Sequence, residues 1–112
     1  MQYNPKQGDI IFLTFDPQVG HEQRGRRPAI VVSNNTFNSF TSIAVVCPIT
    51  NTNRYIPIHV PLDERTKTTG VVMCDQVKSL DIKMRNAEFV ERVPQDILAE
   101  IIDIIIGFVE FE

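Results

Sequence analysis

The chain has 112 residues, 43% hydrophobic and 22% charged, the size and composition of a single globular domain (residues 1–112) with one core. No stretch reaches the roughly 18 apolar residues of a membrane span, and the N-terminus, Met-Gln-Tyr-Asn-Pro-Lys, lacks the apolar run of a secretory signal, so a cytoplasmic protein is expected. The formal charge of −3 argues against a polyanionic partner until it is divided: residues 94–112 hold five acids and no base, which leaves eleven bases against nine acids on the first 93 residues.

Residues 9–15, Asp-Ile-Ile-Phe-Leu-Thr-Phe, form a β-branched and aromatic run that predicts a strand apolar on both faces. Asp16-Pro17 ends it, and a polar loop with Gly20 and Gly25 follows. Residues 28–33, Pro-Ala-Ile-Val-Val-Ser, predict a second strand, and residues 34–39, Asn-Asn-Thr-Phe-Asn-Ser, a loop with strong turn chemistry. Residues 42–47 predict a third strand, leading to Pro48 and Thr50. Residues 55–60 alternate, so Ile56, Ile58 and Val60 are expected inside, with Tyr55, Pro57 and His59 outside. Pro57 lacks a backbone donor and assigns that strand to a sheet edge. Residues 70–77 are the last clear strand. Five short strands at this spacing imply a small, strongly bent sheet or a partly open barrel.

The period then changes. Pro94 suits a first helical turn, and Asp96 and Glu100 suit its positive end. Ile97, Ile101, Ile104, Ile105 and Phe108 make one helical stripe, and Leu98, Ile102, Ile106 and Val109 a second beside it. Two stripes fit either a helix set deep in its own core or one that also serves a subunit interface.

Cys47 and Cys74 are too few for a disulfide framework and sit in apolar runs, as small buried hydrophobes do. His21, Cys47, His59 and Cys74 are scattered, so no metal site is expected. The chain has no nucleophile elbow, P-loop, dinucleotide fingerprint or H-E-x-x-H. The segment that stands out is residues 20–28, Gly-His-Glu-Gln-Arg-Gly-Arg-Arg-Pro, where Pro28 biases Arg27 towards an extended backbone at a strand start. Glu22 can hold one guanidinium in a bidentate pair and leave another for a phosphate. By physics alone, a loop stapled by an internal ion pair is the better reading.

That segment, together with Asp9-Ile-Ile-Phe-Leu-Thr-Phe-Asp16 before it, Val46-Cys-Pro-Ile-Thr50 and Asp75-Gln-Val-Lys-Ser79 after it, and the apolar C-terminal run, resembles the MazF/PemK family of toxin–antitoxin ribonucleases. The resemblance implies a mainly β (α+β) fold, a small SH3-like, partly open β-barrel with a C-terminal α-helix, acting as a homodimer. It implies metal-independent cutting of single-stranded mRNA to 2′,3′-cyclic phosphate and 5′-hydroxyl ends, without any cofactor. It also implies an acidic antitoxin partner, with which the toxin forms a DNA-binding complex, and no membrane. Arg27 and Thr50 match the family's catalytic arginine and threonine, and Glu22 an acidic residue of the same site. His21 stands where a serine is common, and Arg24 and Arg26 add charge beside the motif.

These residue types suit the chemistry. The 2′-hydroxyl of RNA is the nucleophile, so the protein must accept its proton, stabilise the phosphorane and protonate the 5′-oxygen. A guanidinium at residue 27 is a preformed clamp for the phosphorane, and the Thr50 hydroxyl a second donor. A guanidinium stays protonated and makes a poor base. The base is therefore Glu22 or a positioned water, with His59 as the alternative on its chemistry. Gln23, Arg24, Arg26, Tyr55 and Gln76 are the candidate RNA contacts, through phosphate pairing, stacking and amide hydrogen bonds; Phe37 and Phe40 can stack or anchor a loop. Two other readings are a protein-binding toxin of the CcdB type and an inactive RNA-binding barrel. The first relies on a C-terminal tryptophan, which this chain lacks, and intact Arg27 and Thr50 argue against the second.

Overall fold

The computed structural model describes residues 3–15, 25–52 and 56–112. Among these residues seven strands run in the order β1 (Asp9–Thr14), β2 (Arg26–Val31), β3 (Ile43–Thr50), β4 (His59–Pro61), β5 (Val71–Met73), β6 (Lys78–Asp81) and β7 (Glu88–Arg92). A short helix, α1 (Asn35–Phe40), precedes β3, and α2 (Gln95–Val109) follows β7. Every pairing is antiparallel, in the order β4-β5-β3-β2-β1-β7, with β6 also paired to β3. The sheet is not closed, so the barrel is partly open.

Strand β3 organises the molecule. Along one edge it pairs with β2; along the other it pairs with β6 through residues 43–46 and with β5 through Ile49 and Thr50. The partner changes around Pro48, and a single 3-10 turn, Cys74–Gln76, carries the chain from β5 to β6 across that split. Side chains of the sheet alternate between two apolar faces. Ile10, Ile30, Cys47, Ile49 and Val72 pack with Ile97, Leu98 and Ile101 of α2, whereas Ile11, Leu13, Ala29, Val31, Ala44, Val46 and Leu80 form the other cluster. Burial of each such Ile or Leu contributes about 1.5–3 kcal/mol, which holds the first half of α2 on the sheet.

The helix does not stay buried. Ile106 is 50% exposed, Val109 76% and Phe111 fully so. The sheet covers the start of the double stripe and leaves its end open.

Five expectations require correction. Residues 34–39 are not a loop: Asn34 accepts a hydrogen bond from Phe37 N (2.9 Å) and starts α1. The asparagine chemistry that favours turns is the same chemistry that caps helices. The expected strand over 55–60 contracts to β4, which does lie at the sheet edge. His59 is buried rather than outward, and Val60 beside it is buried as expected: Ile56–His59 is a turn closed by His59 N to Ile56 O (2.9 Å), and Asp75 of the 3-10 turn meets the His59 ring at 2.9 Å. The expected strand over 70–77 is broken at Cys74 by the 3-10 turn. Strands β6 and β7 were not expected; they are short, and β7 is a largely exposed edge strand without a clear apolar alternation.

Two carboxylates tie the ends of the fold together. Buried Asp9 accepts hydrogen bonds from the Tyr3 hydroxyl, from Lys6 N (3.0 Å) and from Arg92 Nη1 (3.1 Å). Burial and the neighbouring Asp9 carboxylate push the Tyr3 hydroxyl far above its ordinary range. On β7, Glu91 accepts from Lys67 N (3.0 Å), Thr68 N (2.8 Å) and Thr68 Oγ1 (2.8 Å), and so pins the loop before β5. Burial opposes its charge, but these three donors win and hold the Glu91 carboxyl below its ordinary value. A lowered native pKa gives stability that is present above the unfolded value and lost as pH falls through the native one. Glu91→Gln is expected to cost about 1 kcal/mol at neutral pH. The difference from wild type should shrink as urea midpoints are followed into acid; an equal difference at every pH would remove the carboxylate from this account.

Candidate active site

The β2–β3 register matches Ala29 with Pro48 and Val31 with Val46. Carried two residues on, it sets Arg27 opposite Thr50, so two positions 23 apart in sequence become cross-strand neighbours on one face. The two residues line a cavity of about 410 Å³ beside the split in the sheet. Asp75 and Gln76 enter it from the 3-10 turn, His59 from β4, and Thr52, Ile56 and Met73 complete the wall.

Arg27 is exposed at the start of β2, with the extended backbone expected ahead of Pro28. Thr50 ends β3, and its Oγ1 accepts from Thr52 N (3.1 Å), which leaves the hydroxyl proton free to donate. Behind it, Gly70 adopts φ +117, and a Cβ there would lie 2.3 Å from Thr50 O. Only glycine admits that approach.

The carboxylate of Asp75 is 37% exposed, and its Oδ1 lies 2.9 Å from His59 Nε2. Sequence reasoning assigned no chemistry to Asp75. The signal was present in Asp75-Gln-Val-Lys-Ser79, but only the 3-10 turn aims that motif at Thr50. Gln76 is exposed at the cavity, as a base-reading amide requires.

Arg26 lies elsewhere. Alternation turns it to the opposite face of β2 from Arg27, where Nη1 donates to Thr14 Oγ1 (3.0 Å) and Nη2 to Asn86 O (3.0 Å). Its guanidinium stacks over Phe12 at 5.0 Å and reaches Glu88 at 3.4 Å. The structure thus gives Arg26 an anchoring position between β1 and the turn before β7. Phe37 and Phe40 are exposed on α1, at the far end of β3 from Thr50. Glu22, Gln23, Arg24 and Tyr55, with His21, lie outside the described residues.

A larger cavity of about 640 Å³ lies between the N-terminal segment and α1, lined by Tyr3, Lys6, Asn38, Phe40 and Lys83 among others. It gathers none of the residues matched to the chemistry. The smaller cavity is the better candidate because a guanidinium, a hydroxyl, a carboxylate and an imidazole converge on it.

The cysteines are buried and free. Burial, aided by Cys74 and Asp75, pushes the Cys47 thiol up to about 12. Burial with Asp75 and Glu100 raises Cys74 to about 11, so neither is a thiolate at neutral pH. Among the described residues no group of three His, Cys, Asp or Glu side chains is placed to hold a metal ion, and no helix is long and apolar enough to cross a membrane.

Comparison with known proteins identifies the family. Residues 6–108 match the family described as PemK-like, MazF-like toxin of type II toxin–antitoxin system. The chain is 41% identical over 101 residues to endoribonuclease PemK of Escherichia coli, covering 87% of this chain and 76% of that protein. It is 38% identical over 86 residues to the endoribonuclease toxin MazF of E. coli K12, covering 77% of each. Among solved structures, MazF of Deinococcus radiodurans superposes with a TM-score of 0.86 at 37% identity, over 98% of this chain and 100% of that one. The MazE–MazF complex of the same organism gives 0.84 at 32% identity, over 99% and 100%. The antiparallel, partly open barrel is thus shared with these structures over nearly the whole chain, and the chain belongs to the PemK/MazF family of type II toxin–antitoxin toxins.

Proposed function

We propose that the protein is a sequence-selective endoribonuclease toxin that cuts single-stranded mRNA without a metal ion and so stops translation. The observation that carries this reading is the cross-strand placement of Arg27 and Thr50 at one cavity that also holds a carboxylate. The 2′-hydroxyl of the substrate attacks its adjacent phosphorus, and the O5′–P bond breaks to leave a 2′,3′-cyclic phosphate and a 5′-hydroxyl. Arg27 stabilises the charge that develops on the phosphorane oxygens, and Thr50 donates a second hydrogen bond. The 2′-proton passes to a carboxylate, Glu22 or Asp75, or to a water that one of them positions, and the departing 5′-oxygen takes a proton from a solvent water as it leaves. Gln76 reads a base edge, with Gln23, Arg24 and Tyr55 along the same strand of RNA. Arg26 supports the scaffold from the other face of the sheet.

Two partners follow from the surface. The uncovered end of α2, with Ile106, Phe108 and Val109, is a surface for a second copy, because apolar patches of this kind are rarely left to water. A cognate antitoxin with an acidic, disordered segment suits the groove, since carboxylates and phosphates use the same charge-assisted donors.

The test is incubation of purified protein with a long synthetic RNA in EDTA, followed by sequencing of the cut sites. Cutting at a short repeated motif, with 5′ ends that a kinase labels without prior phosphatase, is expected. Cutting that requires added magnesium, or 5′-phosphate ends, would refute the proposed mechanism. Sedimentation of the same preparation should show a dimer.

A further inference from the structure

The pair made by His59 and Asp75 is unequal. His59 is 8% exposed, Asp75 is 37% exposed, and a single 2.9 Å hydrogen bond joins His59 Nε2 to Asp75 Oδ1. The other ring nitrogen, Nδ1, is buried and has no hydrogen-bond partner among the described residues. These facts select one tautomer. With the proton on Nε2 the ring donates to the carboxylate, and the unpartnered atom is only a lone pair. With the proton on Nδ1, a buried N–H would lack an acceptor while the Nε2 lone pair faced a carboxylate oxygen, at a cost on both sides.

The same geometry argues against His59 as the base, because Nε2 is engaged by Asp75 and Nδ1 is buried. Asp75 differs: among the described residues no group engages its Oδ2, and the residue lines the cavity beside Arg27 and Thr50. In the serine-protease triad a buried aspartate orients an accessible histidine. Here the roles are reversed.

We propose that His59 is a positioning residue that acts through Asp75: its buried imidazole, fixed as the Nε2–H tautomer, clamps Oδ1 and holds Oδ2 towards the reacting nucleotide. The anchoring has a mechanical basis: Asp75 sits on a 3-10 turn at the split in the sheet, while His59 is the buried first residue of β4. A carboxylate on a short turn needs a second point of attachment to hold one rotamer. The inference rests on the ribonuclease reading, in which Asp75 faces substrate.

Two substitutions separate positioning from bulk. The amide nitrogen of His59→Gln can occupy the place of Nε2 and keep a donor on Asp75, whereas that of His59→Asn matches Nδ1 and cannot reach it. His59→Asn is expected to lower kcat for a short RNA substrate on the order of 100-fold, with KM changed by less than about threefold. His59→Gln is expected to recover most of that loss. Equal activity of folded His59→Asn and wild type, or no recovery in folded His59→Gln, overturns the proposal.

A second measurement needs neither substrate nor variant. Long-range ¹H–¹⁵N spectra of the wild-type imidazole at about pH 8 should show a protonated Nε2 and an unprotonated Nδ1. The opposite tautomer, or an average of the two, also overturns it. If the wild type cuts no RNA, the ribonuclease reading fails while the tautomer still judges the pairing. If the wild type cuts RNA and His59→Asn matches it, the positioning role fails and the ribonuclease reading stands.

Discussion

Arg27→Ala should abolish RNA cleavage in EDTA, with kcat/KM falling at least about 100-fold, while the fold is retained. The side chain is exposed at the start of β2, outside both apolar clusters, so its removal leaves no cavity in the core. What is lost is a set of fixed donors aimed at the place where charge develops, and water reproduces these poorly because it must reorganise as the phosphorane forms. Arg27→Lys keeps the charge but loses the planar fork, and should recover only part of the rate. Thr50→Ala should lose less, since one neutral hydroxyl is removed. Circular dichroism and melting establish that the variants are folded. Undiminished cutting by folded Arg27→Ala would falsify the assignment of the site.

Gly70→Ala should damage both stability and activity. The backbone at φ +117 disfavours any side chain, and the new Cβ would meet Thr50 O at 2.3 Å, Thr50 C at 2.8 Å and Asn51 Oδ1 at 3.1 Å. Two of those atoms are backbone and cannot swing aside. Relief requires β5 and the end of β3 to part, where Ile49 pairs with Val72 and Thr50 with Val71. Strain of this kind costs roughly 1–3 kcal/mol, which for a domain of this size lowers the melting temperature on the order of 10 °C. Because Thr50 is the residue displaced, cleavage by the protein that remains folded should fall as well. Gly107→Ala is the control: a Cβ there meets nothing within 4 Å, and in a helix the change should stabilise by up to about 1 kcal/mol. Equal melting temperatures for the two variants would mean that the close approach of Gly70 to Thr50 is not maintained in solution.

The sequence by itself determined the elements whose signals are local. Apolar runs specified β1, β2 and β3 to within a few residues, Pro57 marked the edge, and the helical stripes specified α2. Arg27 and Thr50 were candidates because each lies in a stretch that resembles the family, and Arg27 also because Pro28 constrains its backbone. Cys47 and Cys74 were recognisable as buried hydrophobes from their apolar neighbours alone.

The tertiary structure decided what depends on which element lies beside which. Whether Asn34 opens a turn or caps a helix is settled by the chain around it, since both use the same side-chain acceptor. Adjacent arginines in one motif part company because successive residues of a strand face opposite ways: Arg27 turns to the cavity, and Arg26 to Thr14, Phe12 and Asn86. Val60 lies in the core as the alternation expects, whereas His59 is buried although it was expected outside, because the 3-10 turn from a distant part of the chain brings Asp75 onto its ring. Asp75 became a site residue only through the change of partner along β3, a pairing between residues more than twenty positions apart. Local sequence carries propensity and phase; the register of distant strands, on which the convergence of Arg27, Thr50, His59 and Asp75 depends, arises only when their apolar faces are packed together.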